Sequence, residues 1–236
     1  MKVKLLTIAA ILSLIILGVY FFNKQFQVVT KSNKESQEMQ PNLHTASTTK
    51  VLTIIAFGDS LTAGYGVLLE ESYPYLLEKR LQKEYRNIRV INMGVSGETT
   101  TAGLERVEFI VSKKPSLVLL GLGANDMLRS SSPAIAKENL VTILQRLQEK
   151  KVPVILLGMK STTSNGKVYE EDFNAIYSSL AKEYNVPLVP FFLEGVALNP
   201  SLNISDGIHP NKEGYEKIIE KNILPVLLPV LKNSNL

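Results

Sequence analysis

From residue 51 onward, short apolar runs alternate with longer stretches in which apolar residues recur at helical spacing. The short runs are typical of parallel strands buried on both faces, and they predict strands at Val51–Ala56, Ile88–Asn92, Leu117–Leu120, Val154–Leu157 and Leu188–Pro190. The longer stretches predict amphipathic helices at Ser72–Tyr85, Thr99–Ser112, Pro133–Lys150, Tyr169–Tyr184 and Asn211–Ile223, the last ending near Pro225. Strands that alternate with crossover helices predict an α/β fold, a three-layer α/β/α sandwich around a five-stranded parallel sheet.

The first part of the chain has a different pattern. Two lysines precede eighteen mostly apolar residues, Leu5–Phe22, and such a start is typical of an export signal or a membrane anchor. The run is near the lower limit of ~17–25 residues for crossing a bilayer, and it ends without a small-x-small cleavage site. We therefore predict that residues 1–22 form an uncleaved membrane anchor in preference to a cleaved signal. The rest of the chain would then lie in the cell envelope, on the periplasmic or extracytoplasmic face.

Residues 23–50 are polar and rich in Lys, Ser, Gln, Asn and Thr. A segment of this composition cannot bury enough apolar surface to fold, so it predicts a flexible linker. The predicted organisation is therefore an anchor or signal over residues 1–22, a linker over 23–50 and one globular domain over 51–236.

Charge and composition narrow the function. The whole chain has a net charge of +4, and this excess lies in the first fifty residues, because basic and acidic residues balance in the remainder. A neutral domain lacks the basic surface of a nucleic-acid-binding protein. The chain has no cysteine, which excludes a thiol nucleophile and cysteine-bound zinc, and only two histidines, His44 and His209. We therefore expect no metal and no cofactor.

Polar and glycine residues collect in four loops next to the predicted strand ends. Ser60 follows the first strand, 92–99 the second and 121–126 the third, while 205–211 precedes the last helix. In an open α/β sheet the site lies outside the carboxyl ends of the strands. These loops are therefore expected to lie close together.

A serine hydroxyl needs a base to become a good nucleophile. His209 is the only histidine outside the linker, and Asp206 precedes it by three residues, close enough for one tight turn to join the two side chains. Ser60, Asp206 and His209 thus predict a catalytic triad. The alternatives are that His209 bonds a carbonyl at the helix start, that Asp206 caps the last helix, and that Ser96 is the nucleophile.

Acyl transfer also needs donors aimed at the developing oxyanion. The backbone N–H groups of Gly97 and Ser60 and the side-chain amide of Asn125 are candidates. The alternatives are that Gly94 and Gly97 are turn glycines and that Asn125 belongs to an Asx-turn. For Asp126 we favour a cap of its own loop, and Asp59 is expected to brace the turn at Ser60.

Four blocks resemble those of the SGNH/GDSL hydrolases, in order and over residues 51–231: Gly58-Asp59-Ser60-Leu61, Gly94 with Gly97, Gly123-x-Asn125-Asp126 and Asp206-x-x-His209-Pro210. Within that family the chain is most similar to the thioesterase I, arylesterase and lysophospholipase group. The resemblance implies a flavodoxin-like fold with Ser60 as the nucleophile and with Asp206 and His209 completing the triad. It also implies an oxyanion hole formed by Gly97, Asn125 and the Ser60 N–H.

The same resemblance implies a serine esterase that hydrolyses ester or thioester bonds of acyl substrates through an acyl-enzyme, with lysophospholipids among its candidate substrates. Two alternatives remain: a carbohydrate O-acetyl esterase of the cell envelope and a non-catalytic binding protein. The intact set of Ser60, Asp206 and His209 argues against the binding protein. Dinucleotide binding is also disfavoured, because Asp126 stands where a third glycine would meet the pyrophosphate.

Overall fold

The computed structural model describes residues 51–161 and 163–233, and its central element is a parallel sheet in the order β2-β1-β3-β4-β5. The strands are β1 (Leu52–Gly58), β2 (Ile88–Gly94), β3 (Leu117–Gly121), β4 (Val154–Leu157) and β5 (Leu188–Val189). All their pairings are parallel. The predicted α/β fold and five-stranded sheet are thus confirmed, and the strand order is the flavodoxin-like one.

The register brings three strand ends to one level. Gly58 at the end of β1 is paired with Gly94 of β2 on one side and with Gly121 of β3 on the other. The chain runs to β2 on one side of β1 and returns to β3 on the other, so a crevice opens at their carboxyl ends. The loops that follow these strands therefore start next to one another.

Helices cover the sheet. They are α1 (Ser60–Ala63), α2 (Tyr73–Leu81), α3 (Thr100–Ser112), α4 (Ala124–Leu128), α5 (Pro133–Glu149), α6 (Lys167–Glu183), α7 (Lys212–Ile218) and α8 (Leu224–Asn233), with 3₁₀ turns at Leu69–Glu71 and Thr163–Asn165. Helix α5 packs between α3 and α6, and α2 packs against β2 and α7. Right-handed crossovers place α2 on one face of the sheet and α3, α5 and α6 on the other, which gives the predicted three layers.

The core explains why the strands lack an alternating pattern. Successive residues of β1 (54–57) and of β3 (117–120) are at most 1% exposed. Since neighbouring side chains of a strand point to opposite faces, both faces of the sheet are covered.

The end of the chain differs from the prediction. The last helix was expected to end near Pro225, and this is wrong: α7 passes into a π turn at Ile219–Ile223, and α8 follows directly. The N–H of Leu224 bonds to the carbonyl of Ile219, five residues back. The π turn ends one helical segment, and α8 begins a new one at Leu224. Pro225 therefore lies in the first turn of α8, where its missing N–H is not needed for an intrahelical hydrogen bond.

Two short helices, α1 and α4, were not predicted. They have four and five residues, too few for an apolar period to be visible. The anchor predicted for residues 1–22, the linker 23–50 and His44 lie outside the described residues. No helix within the described ranges combines the length and apolar character needed to cross a bilayer.

Candidate active site

Ser60 is the first residue of α1, directly beyond the end of β1. A side chain on Gly58 would place its Cβ 2.2 Å from Thr62 Oγ1 and 2.5 Å from the carbonyl oxygen of Gly121. Asp59 caps the helix, because its Oδ1 accepts the N–H of Leu61 at 3.0 Å. The small residue thus lets α1 approach β3, and Asp59 braces the turn as predicted.

The three residues of the predicted triad lie within hydrogen-bond distance in a row. His209 Nε2 is 2.8 Å from Ser60 Oγ, across 149 residues of sequence. His209 Nδ1 is 2.6 Å from Asp206 Oδ2. The backbone N–H groups of Ile208 and His209 both donate to Asp206 Oδ1 at 3.0 Å.

The environment of Asp206 sets the tautomer of the histidine. Burial raises the pKa of Asp206, but the N–H groups of Ile208 and His209 and the imidazole outweigh it, and the pKa lies below its ordinary value. The carboxylate is therefore ionised at neutral pH and accepts the Nδ1–H of His209. Nε2 is then left as an acceptor for the hydroxyl proton of Ser60.

The observed contacts differ from those that the alternative interpretations of these residues would require. The side chain that caps α7 is Asn211, whose Oδ1 accepts the N–H of Gly214 at 2.9 Å, so Asp206 is not the cap. The His209 ring bonds Asp206 and Ser60 instead of a carbonyl. Ser96 is exposed in the turn after β2, and among the described residues the serine hydroxyl bonded to His209 is that of Ser60.

Tyr65 packs against the imidazole ring of His209. Its ring centroid lies 4.8 Å from that of His209, with the planes tilted by 45°.

Gly97 occupies a turn that requires glycine. The N–H of Glu98 bonds to the carbonyl of Val95 at 3.1 Å, and Gly97, the third residue of this turn, has a φ of 81°. These are the features of a type II turn. Gly97 is therefore a turn glycine, and its own N–H is not used by the turn.

Gly94 is not a turn glycine, contrary to the alternative considered from the sequence. It is the last residue of β2, and a Cβ there would lie 2.2 Å from the backbone nitrogen of Ala63. Its role is close approach between β2 and the helix that carries Ser60.

The loop after β3 is tied to the turn at Gly97. The side-chain amide of Asn125 donates to the carbonyl of Glu98 at 3.0 Å. One turn further along, Arg129 Nη2 donates to the carbonyl of Gly97 at 2.8 Å. The two loops that carry the predicted oxyanion donors are therefore held in a common arrangement.

Asp126 extends this connection to α3. Its side chain is buried and accepts the backbone N–H of Thr100 at 2.8 Å and the Thr100 hydroxyl at 2.7 Å. The prediction that Asp126 caps its own loop is wrong, because its carboxylate accepts the N–H and hydroxyl of Thr100 at the N-terminus of α3. Asp126 and α3 are far apart in sequence and come together only in the folded chain.

Three buried carboxyl groups, those of Asp59, Glu98 and Asp126, belong to the loops of the site. Glu98 is paired with Arg106, whose Nη2 and Nε donate to its two oxygens at 2.5 and 2.6 Å. Burial, together with the charges of Glu98 and Asp126, raises the pKa of Asp59 to about 7. Close to neutral pH, protonation of Asp59 therefore lowers the negative charge beside Ser60.

A cleft of about 300 Å³ opens beside Ser60 and His209. Its walls are largely apolar, and they include Met127, Leu128, Met159, Phe191, Leu193 and Leu198. Lys160 also lines the cleft, and its Nζ lies 3.6 Å from Glu194 Oε2. The cleft is suited to an uncharged chain attached to a group that reaches Ser60.

Sequence reasoning missed Arg129, Thr100 and Arg106. Arg129 follows Asn125 by four residues, the spacing that puts two side chains on one side of a helical turn, so a helix assignment for 124–128 would have indicated it. Arg106 follows Glu98 by eight residues, about two helical turns. No local sequence pattern indicates that Thr100 donates to Asp126.

A serine bonded to a histidine–aspartate pair, set at the strand ends of a flavodoxin-like sheet, is the arrangement of a serine hydrolase. The profile of the GDSL-like Lipase/Acylhydrolase family matches residues 56–217. The chain belongs to this family, which confirms the resemblance seen in the sequence, and it is a hydrolase of ester bonds.

Relatives agree with this assignment. Esterase TesA of Pseudomonas aeruginosa is 37% identical over 180 residues, covering 76% of this chain and 89% of that protein. Thioesterase 1/protease 1/lysophospholipase L1 of Escherichia coli is 38% identical over 169 residues, covering 71% and 80%. A crystal structure of TesA superposes with a TM-score of 0.72 at 36% identity, covering 75% of this chain and 99% of that one. AlinE4, an SGNH-hydrolase family esterase, gives a TM-score of 0.64 at 45% identity, covering 78% and 96%.

Proposed function

We propose that the chain hydrolyses carboxylic esters and thioesters of acyl chains through an acyl-enzyme on Ser60. The observation that carries the proposal is the row of hydrogen bonds from Asp206 through His209 to Ser60, at 2.6 and 2.8 Å. In this arrangement His209 can take the proton of the Ser60 hydroxyl, and Asp206 orients the imidazole.

In the first half of the reaction, Ser60 Oγ attacks the carbonyl carbon of the substrate and its proton passes to His209 Nε2. Asp206 stabilises the imidazolium that results. The tetrahedral intermediate collapses when His209 returns the proton to the leaving alkoxide or thiolate. In the second half, water attacks the acyl-enzyme with His209 again as base, and Ser60 is regenerated with release of the acid.

The negative charge of the intermediate needs fixed donors. The N–H of Ser60 is available, because the first residue of a helix has no intrahelical acceptor. The N–H of Gly97 is left unused by its turn, and the amide of Asn125 has a second N–H beyond the one given to Glu98. We assign these three donors to the oxyanion hole.

The cleft favours substrates with acyl chains longer than acetyl. Its volume is at the lower end of the ~300–1,000 Å³ usual for small-molecule sites, and its apolar walls would gain about 0.8 kcal/mol, roughly fourfold in kcat/KM, for each methylene group buried. An O-acetyl esterase would have little use for such a cleft. Lysophospholipids are among the candidate substrates, given the name of the Escherichia coli relative.

A series of p-nitrophenyl esters from acetate to palmitate tests both parts of the proposal. We expect kcat/KM to rise along the series until the cleft is filled, and Ala197→Phe, which narrows the cleft, to reduce the preference for long chains by ~10-fold or more. Ala134→Phe, at an exposed alanine of α5, is the matched control. A preference for acetate in the wild type would favour the O-acetyl esterase.

Variants of the triad test the mechanism. Ser60→Ala and His209→Ala should each remove nearly all activity, and the double variant should be scarcely worse than either, because the residues act as a unit. Asp206→Ala should retain more activity than His209→Ala, since it orients the base. A fluorophosphonate probe should label the wild type and Ser96→Ala but not Ser60→Ala. Labelling that persists in Ser60→Ala would show that another serine is the nucleophile.

We further propose that residues 1–22 anchor the enzyme in a membrane, with the domain on the periplasmic or extracytoplasmic face. The apolar run Leu5–Phe22 and the lysines before it support this proposal.

A further inference from the structure

Four exposed apolar side chains surround the mouth of the cleft. Leu128, Leu198 and Ile208 line its walls and are 57%, 81% and 45% exposed. Tyr65 lies against His209 and is 54% exposed. They come from four separate loops or helix ends, so the fold assembles them at one place. We call these four residues the apolar rim.

Leu198 is held outward by its surroundings. Its backbone has a φ of 61°, a conformation that leucine rarely adopts. The loop around it is fixed from below by buried Asn203, whose amide donates to the carbonyls of Val196 and Asn199 at 2.8 and 2.7 Å. The loop therefore holds an exposed leucine in a backbone conformation that costs free energy, and the cleft lies beside it.

Two of the three charged side chains next to the rim have ionisable side-chain partners within the domain. Lys160 lies 3.6 Å from Glu194, and Asp206 bonds His209. Arg129 donates to the neutral carbonyl of Gly97 and keeps its positive charge. The rim therefore presents apolar surface with one positive charge nearby and no matching cluster of charges. This suits the acyl region of a lipid layer better than a charged partner.

We propose that the apolar rim docks onto a lipid bilayer, with Leu198 at the boundary between headgroups and acyl chains and the cleft open toward the lipid. The proposal deepens the function given above and rests on it, because a long acyl chain would then pass from the bilayer into the cleft without crossing water. Apolar side chains at this depth reach ~5–10 Å into the layer.

The length of the linker is consistent with this orientation. The linker joins β1 at Leu52, the edge of the sheet opposite the rim, since the rim follows the carboxyl ends of the strands. A domain of this size is about 40 Å across. Residues 23–50 can extend to roughly 90 Å, which is enough for a domain anchored at its N-terminus to turn its far edge to the same membrane.

Single tryptophans provide a direct test, because the chain has no tryptophan of its own. The full chain carrying Leu198→Trp is reconstituted into phosphatidylcholine vesicles with and without brominated acyl chains. We expect a blue-shifted emission that the brominated lipid quenches by roughly twofold or more. Leu128→Trp is a second rim position. The matched control is Phe109→Trp, 51% exposed in the C-terminal half of α3, which should not be quenched.

A shortened linker adds an independent readout. Deleting all but eight residues of 23–50 leaves a reach of at most about 29 Å, so quenching at residue 198 should be lost while hydrolysis of a water-soluble short ester is kept. Equal quenching at residues 198 and 109, or none at either rim position, would overturn the proposal. So would an emission shift that depends on protein density and not on brominated lipid, since the rim would then face a second copy. Absence of esterase activity would instead contradict the proposed function.

Discussion

At the scale of single residues, the side-chain amide of Asn125 has two N–H groups with different proposed roles. One N–H donates to the carbonyl of Glu98 at 3.0 Å and so joins the loops after β2 and β3. The second is the one we assign to the oxyanion. Loss of the side chain should therefore affect the transition state directly and the loop geometry indirectly.

We expect Asn125→Ala to lower kcat by ~10²–10³-fold with little change in KM, the usual effect of losing one oxyanion donor. The matched control is Asn165→Ala. Its amide also donates to a carbonyl of this region, that of Met127 at 2.9 Å. Asn165 is not one of the donors assigned to the oxyanion hole. Steady-state kinetics on one p-nitrophenyl ester measures both. Equal losses in the two variants would mean that Asn125 acts only on the loop.

Asp59 makes stability depend on pH. Burial is the main cause of its pKa of about 7, whereas an unfolded aspartate has a pKa of about 3.9. Between these values the folded state keeps a proton that the unfolded state has released. Stability is therefore fully present below about pH 4, falls as pH rises to about 7, and is constant above that, with a total loss of up to about 4 kcal/mol.

Asp59→Asn should remove this part of the pH dependence, because the amide is neutral and its oxygen can still accept the N–H of Leu61. Urea unfolding at about pH 5 and about pH 8 should show a smaller loss of stability in the variant than in the wild type. Asp172→Asn, at an exposed aspartate of α6, is the control. An unchanged difference between the two pH values would show that Asp59 is ionised in the folded enzyme.

The proximity of Ser60, His209 and Asp206 could be predicted from the sequence because the domain offers so few candidates. One histidine and an aspartate three residues before it leave little choice of base and orienting acid, and Ser60 follows a strand. Arg129 and the acceptor role of Asp126 could not be read in this way. Their partners, Gly97 and Thr100, lie about thirty residues away in sequence and meet them only when β2 and β3 flank β1.

At the scale of elements, the junction of β1, β2 and α1 fixes the position of Ser60. Gly58 is paired with both Gly94 and Gly121, and α1 packs on these strand ends. The backbone of Ala63 leaves no room for a side chain at Gly94. The helix that begins at Ser60 thus rests on backbone contacts that only glycine permits.

Gly94→Ala should lower the free energy of unfolding by about 3 kcal/mol or more. The three atoms nearest to the added Cβ belong to Thr62 and Ala63, and all are backbone atoms that cannot rotate away. Activity should fall as well, since α1 must shift. Gly195→Ala is the control: it has a φ of 71° but only ordinary contacts, with Lys217 at 3.4 Å, and it should lose about 1–2 kcal/mol. Denaturant unfolding compares the two, and equal losses would contradict the close approach at Gly94.

The elements that the sequence predicted well are those with a strong local signal. Apolar runs gave β4 with its observed bounds and the other strands to within two residues. The signal is strongest for β3 and β4, because burial on both faces removes polar residues from a strand. The end of the last helix could not be predicted in the same way. A proline such as Pro225 usually ends a helix. Here a π turn precedes it and the helix continues, and no local sequence pattern indicates that turn.

At the scale of the whole molecule, the described domain contains its own core. The buried apolar residues run from Ile54 to Leu231, and contacts group the described residues as one compact unit. Ser60, Asp206 and His209 and the proposed oxyanion donors all belong to this unit. Catalysis and attachment to a membrane should therefore be separable, although substrate delivery by the apolar rim would couple them.

We expect the full chain to fractionate with membranes and to keep its N-terminus, while a chain that starts at Lys50 is soluble and has the same kcat on a water-soluble ester. The reason is that Leu5–Phe22 is long and apolar enough to span a bilayer, whereas the described core begins at Ile54. Leu14→Lys, near the middle of the apolar run, should weaken insertion, because a central lysine costs about 3 kcal/mol. Leu198→Lys is the matched control for added charge and should leave the anchor inserted. Fractionation with N-terminal sequencing decides the matter: a soluble product that begins between residues 20 and 50 would show that the apolar run is a cleaved signal.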